Sequence, residues 1–254
     1  MKKFFACKGS APADREGLAT VRQEREGWLG GDEGSTARAA LDALLVRLYG
    51  GWPRRGKKML VMNAGNGLFL RNLWEAGFDV TAQDHAPDFL QKARDSLGNR
   101  AEYLLASPDH LPCEDAAFDY VVIPGLEYCL NHEAVLQEIH RVVTCGVIIL
   151  FSNAFSLHRL GWKLGRARPA GAVGSLVLCP TRARKMLRHA FGAAPQKWLS
   201  ALPAPAFLWA AGQKNCLNRC RMLLPLGAVA GVRVDLLPKK GCTGIVIQAR
   251  AFHT

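Results

Sequence analysis

The sequence predicts an α/β fold in which a doubly wound, mostly parallel sheet is covered by helices on both faces. Three observations predict it. Short runs that are apolar throughout recur along residues 58–151, as is typical of strands buried inside a parallel sheet. Stretches with helical spacing separate these runs. The 254 residues are 49% hydrophobic and 21% charged, which allows one substantial core and excludes a disordered polymer.

Strands and helices alternate along the middle of the chain. The first strand, Lys58–Met62, ends at a turn over Asn63–Gly67, and Leu68–Ala76 has helical spacing. Before them, Thr36–Tyr49 places four leucines on one helical stripe, whereas residues 1–34 are polar and are predicted to be a cap or partly disordered. The remaining elements predicted here are the strands Asp79–Ala82, Glu102–Leu105, Phe118–Ile123 and Val147–Phe151 and the helices Pro87–Leu97 and Glu133–Val143.

The pattern loosens after residue 152. Thr181–Phe191 predicts a basic amphipathic helix, Gln196–Leu199 a short strand, and Gly244–Ala251 a final strand with alternating apolar residues. Residues 200–240, rich in proline and glycine, are interpreted as an insertion. We expect one domain over 1–254, with an N-terminal helical cap at 1–55, a core at 56–152 and a basic C-terminal part at 153–254.

Charge is distributed unevenly along the chain. The net charge is +12, but residues 1–138 carry −4 and residues 139–254 carry +16, with no acidic residue between Glu138 and Asp235. Such a basic part attracts anions, although a merely solvated basic face is the alternative. Nucleic acid ranks below a small anionic molecule as the partner, because the basic stretch lacks regular aromatic interleaving or a recognisable binding module.

The chain's first residues imitate a signal peptide. Lys8 ends their apolar run after four residues. A signal peptide requires an apolar region of about 7–15 residues, so no export signal is predicted. Prolines, glycines or an arginine interrupt the later apolar stretches, so no transmembrane segment is predicted. The eight cysteines form no Cys-x-x-Cys pair, which favours buried thiols in a reducing cytoplasm and no metal site.

The turn after the first predicted strand has the features of a nucleoside site. Parallel sheets bind ligands at the carboxyl ends of their strands, and Gly65 and Gly67 would let the backbone approach a ligand closely. Asp84 follows the second strand and can accept hydrogen bonds from both hydroxyls of a ribose. A dinucleotide fits poorly, because Leu70 replaces the third glycine that its motif requires. The alternative is a helix-packing turn beside a solvated aspartate.

Several phrases in the correct order and spacing resemble the class I S-adenosylmethionine-dependent methyltransferases, specifically the type 11 group. They are VTAQDHAPDFLQKAR around Asp84, LPCEDAAFD at 111–119, LEY at 126–128 and VLQEIHRV at 135–142. The resemblance covers about residues 55–152. It implies a Rossmann-like sheet of seven strands, mostly parallel with an antiparallel last strand, and methyl transfer from S-adenosylmethionine as the activity.

The resemblance also implies roles for individual residues. The turn would line the methionine and ribose part of the cofactor, Asp84 would hold the ribose hydroxyls, and His85 would border the adenine. Glu127 and Tyr128 are catalytic candidates that could orient or deprotonate an acceptor, with capping or packing as the alternative. The implied cofactor-binding residues are Asn63, Ala64, Gly65, Asn66, Gly67, Asp84, His85, Ser107, Pro108, Ile123, Pro124 and Gly125.

Four positions depart from the pattern of this group. Val61 replaces an acidic residue, Asn63 the first glycine and Ser107 an aspartate, while Pro108 offers no N–H. Asparagine adopts left-handed conformations readily, so the turn can survive, but each lost hydrogen bond would cost about 0.5–1.5 kcal/mol. The sequence therefore predicts a cytoplasmic methyltransferase for an anionic small-molecule acceptor. The alternative is a catalytically degenerate relative that acts through its basic surface.

The N-terminal segment and residues 153–240 are expected to form the lid that selects the acceptor. Trp28 could close over the cofactor as an aromatic cap, or could anchor its segment to the core. The cations expected on this lid are Arg159, Lys163, Arg166, Arg168, Arg182, Arg184, Lys185 and Arg188.

Overall fold

A computed structural model describes residues 15–32, 34–156, 176–202 and 226–236 of the protein. The helices are α1 (Arg15–Gly30), α2 (Ser35–Tyr49), α3 (Leu70–Glu75), α4 (Pro87–Leu97), α5 (His132–Val142) and α6 (Pro180–Phe191). The strands are β1 (Lys58–Met62), β2 (Asp79–Asp84), β3 (Glu102–Leu105), β4 (Phe118–Ile123), β5 (Val143–Ser152), β6 (Gln196–Ala201) and β7 (Val229–Asp235).

The seven strands form one sheet in the order β3-β2-β1-β4-β5-β7-β6. Strands β1 to β5 pair in parallel, and β7 is antiparallel to both of its neighbours. The chain crosses from β3 back to β4 beside β1, so the order reverses between β1 and β4. The predicted fold class, a mostly parallel sheet with an antiparallel last strand, is confirmed.

Strand β7 corrects the prediction for residues 200–240. The interval was interpreted as an insertion, yet residues 229–235 lie inside the sheet between β5 and β6. Glycines and prolines in and around this strand interrupt its apolar pattern, so the sequence did not predict it. Gly231 lets two leucines pack closely on the strand, because a Cβ on it would lie 2.7 Å from the side chain of Leu48 of α2 and 3.0 Å from that of Leu150 of β5. The predicted strand Gly244–Ala251 lies outside the described residues.

Helices cover the sheet on both faces. One face packs against α2, α3 and α4 through a core that includes Leu44, Leu48 and Leu73, and the other packs against α5 and α6 through Leu136 and Leu187. The central strands are apolar toward both layers, which explains the uniformly apolar runs in the sequence. Two helical layers therefore leave only the ends of the strands open to a ligand.

Several element ends differ from the prediction by a few residues. Strand β2 continues to Asp84 because it pairs with β3 as far as Leu105. Helix α5 begins at His132, since the side chain of Asn131 accepts a hydrogen bond from the N–H of Ala134 at 3.1 Å.

Residues 15–30 form a helix, which lies inside the predicted N-terminal cap at 1–55. Helix α1 contacts α2 and lies over the carboxyl ends of the parallel strands: it bonds to Asp84 at the end of β2 and to Asn66 in the loop after β1. Within the described ranges, no helix has the length and apolar character that a membrane crossing requires.

Candidate cofactor site

The loop after β1 makes a tight turn of residues with positive φ. Asn63, Gly65 and Gly67 have φ values of 50°, 58° and 77°. Asn63 therefore adopts the left-handed conformation expected of it, and its N–H donates to the side chain of Gln83 at 3.2 Å. A Cβ on Gly67 would lie 3.0 Å from Cα of Ala93 in α4, so this glycine permits close packing of the helix. The turn survives the loss of the first glycine.

Asp84 is the anionic centre of the site. Its side chain has no solvent exposure, and its two oxygens accept hydrogen bonds from the backbone N–H groups of Gly65 at 2.9 Å and Ala86 at 3.1 Å. Burial acts to raise the pKa of Asp84, but the guanidinium of Arg22 and these two donors lower it below its usual value. The carboxyl group is therefore ionised, as a ribose-binding residue should be.

Arg22 of α1 neutralises this carboxylate. Its Nη1 donates to Oδ1 of Asp84 at 3.2 Å and its Nη2 donates to Oδ2, so the two planar groups meet at two points. The guanidinium also lies 4.5 Å from the centre of the Phe89 ring. Arg22 is only 2% exposed. Both carboxylate oxygens that could hold a ribose are thus engaged by a cation from the same chain.

Glu26, one helical turn after Arg22, lies on the glycine loop. Its Oε1 accepts from Nε of Arg22 at 3.1 Å, and its Oε2 accepts from the N–H of Asn66 at 2.6 Å. A Cβ on Gly65 would overlap this carboxylate. The glycine therefore makes room for Glu26 in the present arrangement.

The predicted adenine side contains a small cavity. His85, Ser107 and Pro108 line it together with Arg22, and its volume is about 40 Å³. Nδ1 of His85 lies 3.4 Å from Oδ1 of Asp84. The hydroxyl of Ser107 bonds to the carboxylate of Asp109, so an acidic group stands two residues after the position where the family pattern has one.

A second, adjoining cavity of about 20 Å³ lies behind the loop after β4. Pro124, Gly125 and Ala64 line it. A Cβ on Gly125 would lie 2.6 Å from the Tyr128 ring and 3.5 Å from Nη1 of Arg25. Ile123, by contrast, has no exposure and its side chain belongs to the core, so only its backbone can face a ligand.

The two catalytic candidates are buried beside this loop. Oε1 of Glu127 accepts from the N–H of Ser152 at 2.9 Å and from its hydroxyl at 2.7 Å, which anchors the end of β5. Burial raises the pKa of Glu127. Burial also raises the pKa of Tyr128 to about 12, although Arg25 opposes it. A raised pKa favours the protonated phenol of Tyr128 near neutral pH, in which form it can donate a hydrogen bond.

The arginines of α6 have different surroundings. Arg182 lies in the first turn, where burial and its positive charge lower the pKa of His132, the first residue of α5. Arg184 and Arg188 instead line a surface pocket with Trp198, near the start of β6. The expectation that Arg184 and Arg188 belong to a lid over the site stays a prediction. The other expected lid cations between 157 and 175 lie outside the described residues.

Sequence reasoning missed three site residues of α1, which are Arg22, Arg25 and Glu26. The sequence pointed instead to Trp28 as the functional residue of this segment. Trp28 is half-buried and packs against the core that contains α2. The available signal was helical spacing: Leu18, the three missed residues and Leu29 follow one stripe of α1. Charged residues on such a stripe usually indicate a solvent-exposed face. Their burial is understood only when the partner is known, and Asp84, the partner of Arg22, lies 62 residues away in the sequence.

Comparisons with known proteins report similarity of sequence and of fold. Residues 60–151 match the family model described as "Methyltransferase domain", of the type 11 group. A malonyl-[acyl-carrier protein] O-methyltransferase of Serratia marcescens is 38% identical over 120 residues, which are 45% of this chain and 46% of that protein. Its counterpart in Salmonella typhimurium is 32% identical over 120 residues, 47% of this chain and 46% of that protein. The chain thus matches about half the length of these relatives.

A solved structure extends the similarity of fold. It is a SAM-dependent methyltransferase of Thermotoga maritima, described as a possible histamine N-methyltransferase. The TM-score is 0.63 at 15% identity, over 86% of this chain and 99% of the other. At that identity the likeness concerns the fold alone. The match therefore concerns residues 60–151, which are similar to the methyltransferase domain of the type 11 group, and the solved structure adds the class I methyltransferase fold.

Proposed function

We propose that the protein is an S-adenosylmethionine-dependent methyltransferase that acts on an anionic small-molecule acceptor. The observation that carries the proposal is the position of Asp84, a fully buried and ionised carboxylate at the end of β2. It is bonded to Gly65 of the glycine loop, and both lie inside the matched methyltransferase domain. A carboxylate at this point of a doubly wound sheet is suited to a ribose.

The acceptor we propose presents a carboxylate. Two relatives are named for methyl transfer to malonyl-[acyl-carrier protein], which offers one. The basic C-terminal part supports an anion, and Arg182 in the first turn of α6 acts on His132, the first residue of α5. We also propose a cytoplasmic location, supported by the free thiols of the four described cysteines, which are Cys113, Cys129, Cys145 and Cys179.

The residues, as arranged here, do not admit the cofactor. Arg22 holds the oxygens that a ribose needs, and Glu26 holds the loop N–H of Asn66. This arrangement favours a second candidate function, a non-enzymatic relative that binds partners through its basic surface. Pro108, which has no N–H for an adenine ring, favours it as well.

A transfer assay separates the two functions. The protein is incubated with methyl-labelled S-adenosylmethionine and a small-molecule thioester that bears either a malonyl or an acetyl group. These substrates differ in the free carboxylate, so label is expected on the malonyl thioester alone. If neither this nor other carboxylate-bearing acceptors become labelled, the enzymatic proposal is wrong.

Charge reversal on α6 tests the acceptor side. Arg182→Glu is expected to raise KM for the anionic acceptor by about tenfold through repulsion, with KM for S-adenosylmethionine unchanged. Arg188→Glu is the matched control on the same helix and should leave both values within about twofold, because Arg188 lines a separate surface pocket with Trp198. Equal effects of the two substitutions would contradict the assignment.

A further inference from the structure

Helix α1 places complementary groups on the polar positions of the cofactor site. The guanidinium of Arg22 donates to both oxygens of Asp84, and the carboxylate of Glu26 accepts from the N–H of Asn66. Both side chains are buried and are joined to each other by the bond from Nε of Arg22. They form one connected polar unit rather than two surface contacts.

These groups match the cofactor in hydrogen-bonding character. A ribose would present two hydroxyl donors to Asp84, and Arg22 presents two N–H donors to the same oxygens. The methionine part of S-adenosylmethionine carries a carboxylate, and Glu26 presents a carboxylate to the glycine loop. Arg22 and Glu26 therefore satisfy the site in the way its ligand would.

The space in the site is filled as well. The Glu26 carboxylate takes the position above Gly65 that only a glycine leaves open. The adjoining cavities have about 40 and 20 Å³, enough for about one to three water molecules each. A nucleoside cannot enter while these two side chains stay in place.

We infer that α1 is a built-in competitor of the cofactor, which binds only after Arg22 and Glu26 release Asp84 and the glycine loop. The inference rests on the proposed function. Release is opposed because Arg22 and Asp84 are both buried, so separating them without a replacement partner leaves two unpaired charges. The apparent dissociation constant of the cofactor is then its intrinsic value divided by the fraction of molecules in which α1 is released.

Calorimetric titration with S-adenosylhomocysteine tests the competition. The proteins compared are the wild type, Arg22→Ala, Glu26→Gln and the control Glu24→Gln, whose side chain is exposed on the same helix. Arg22→Ala removes the two guanidinium donors to Asp84. This variant is expected to bind S-adenosylhomocysteine at least about tenfold more tightly than the wild type does. Glu26→Gln removes the negative charge that bonds to Arg22 and to the N–H of Asn66 but keeps the size of the side chain. A smaller gain in affinity for S-adenosylhomocysteine is therefore expected. The control should stay within about twofold.

Thermal unfolding identifies which variants are folded, and Glu26→Gln carries the test if Arg22→Ala is not. Folded variants that bind as weakly as the wild type, or more weakly, would overturn the inference while leaving the proposed function intact. Absence of binding at millimolar ligand in every folded protein would instead overturn the proposed function and the inference with it.

Discussion

Asp84 lies where three parts of the chain meet: the end of β2, the glycine loop and helix α1. Its oxygens receive N–H groups from Gly65 and Ala86 and the guanidinium of Arg22. A buried carboxylate with so many donors is tuned to remain ionised. The same property makes it suitable for a ribose and for an arginine, which is why one residue can serve a ligand and a competing helix.

Asp84→Asn is expected to lower the free energy of unfolding by about 3 kcal/mol at pH 7, because Arg22 is left buried without its main counter-charge. The pKa of Asp84 is lowered in the folded state. Its contribution is therefore complete above the unfolded pKa of about 3.9 and is lost as the pH falls below that value. Urea titrations at several pH values should show the two proteins converging in acid.

The control for this change is Asp95→Asn, on the exposed face of α4. It should alter the unfolding free energy by less than about 0.5 kcal/mol at any pH. A pH-independent difference between wild type and Asp84→Asn would contradict the account of Asp84.

Gly65→Ala tests the contact between Glu26 and the glycine loop. Alanine at positive φ costs about 1 kcal/mol wherever it is introduced, and at Gly65 it also displaces the Glu26 carboxylate. Gly56→Ala is the matched control, since Gly56 has a similar φ of 65° and open space where its Cβ would lie. The unfolding free energy should fall by about 2 kcal/mol more for Gly65→Ala than for Gly56→Ala.

A double-mutant cycle isolates the cause of this excess. In a Glu26→Ala background the two glycine substitutions should cost nearly the same, because the displaced carboxylate is absent. An excess that persists in that background would show that something other than Glu26 restricts Gly65.

At the scale of elements, α2 contains a half-buried carboxylate, that of Asp42, whose charged form destabilises the folded protein. Burial raises the pKa of Asp42 to about 6, with Arg38 only partly opposing it. Its Oδ1 is buried without a hydrogen-bond partner among the described residues. A charged form that is disfavoured in the folded state destabilises the protein above that pKa.

Asp42→Asn is therefore expected to raise the free energy of unfolding at pH 8, by about 1 kcal/mol once solvent screening of the half-buried group is allowed for. The gain should shrink as the pH falls from 6 toward 4, where wild-type Asp42 becomes protonated in the folded protein and then in the unfolded chain. Glu75→Gln, exposed on α3, serves as the control and should show no such trend. A gain that grows in acid would contradict the account.

Elements with a strong local pattern were predicted well from the sequence. Strands β1 and β4 are apolar toward both helical layers, and their predicted bounds match the structure. Strand β7 was missed because Gly231 looks like a strand breaker until the leucines of α2 and β5 that pack on it are known. The contribution of helix α1 to the site was not predicted, because Arg22 and Glu26 interact with residues that are distant in the sequence.

At the scale of the whole molecule, the predicted uneven charge now has a spatial meaning. The acidic N-terminal half contains Asp84, which is neutralised internally by Arg22. In the described part of the basic half, Arg182 acts on His132 of α5, whereas Arg184 and Arg188 line a surface pocket with Trp198. No sequence pattern separates these arginines, because their surroundings depend on how α6 packs in the folded protein.

The central claim is that the cofactor and helix α1 compete for Asp84 and the glycine loop. Hydrogen exchange of the amides in Arg15–Gly30, measured by mass spectrometry with and without saturating S-adenosylhomocysteine, tests it most directly. The account predicts faster exchange in α1 when the ligand is bound, together with slower exchange in the loop after β1. Slower or unchanged exchange in α1 under the same conditions would contradict it.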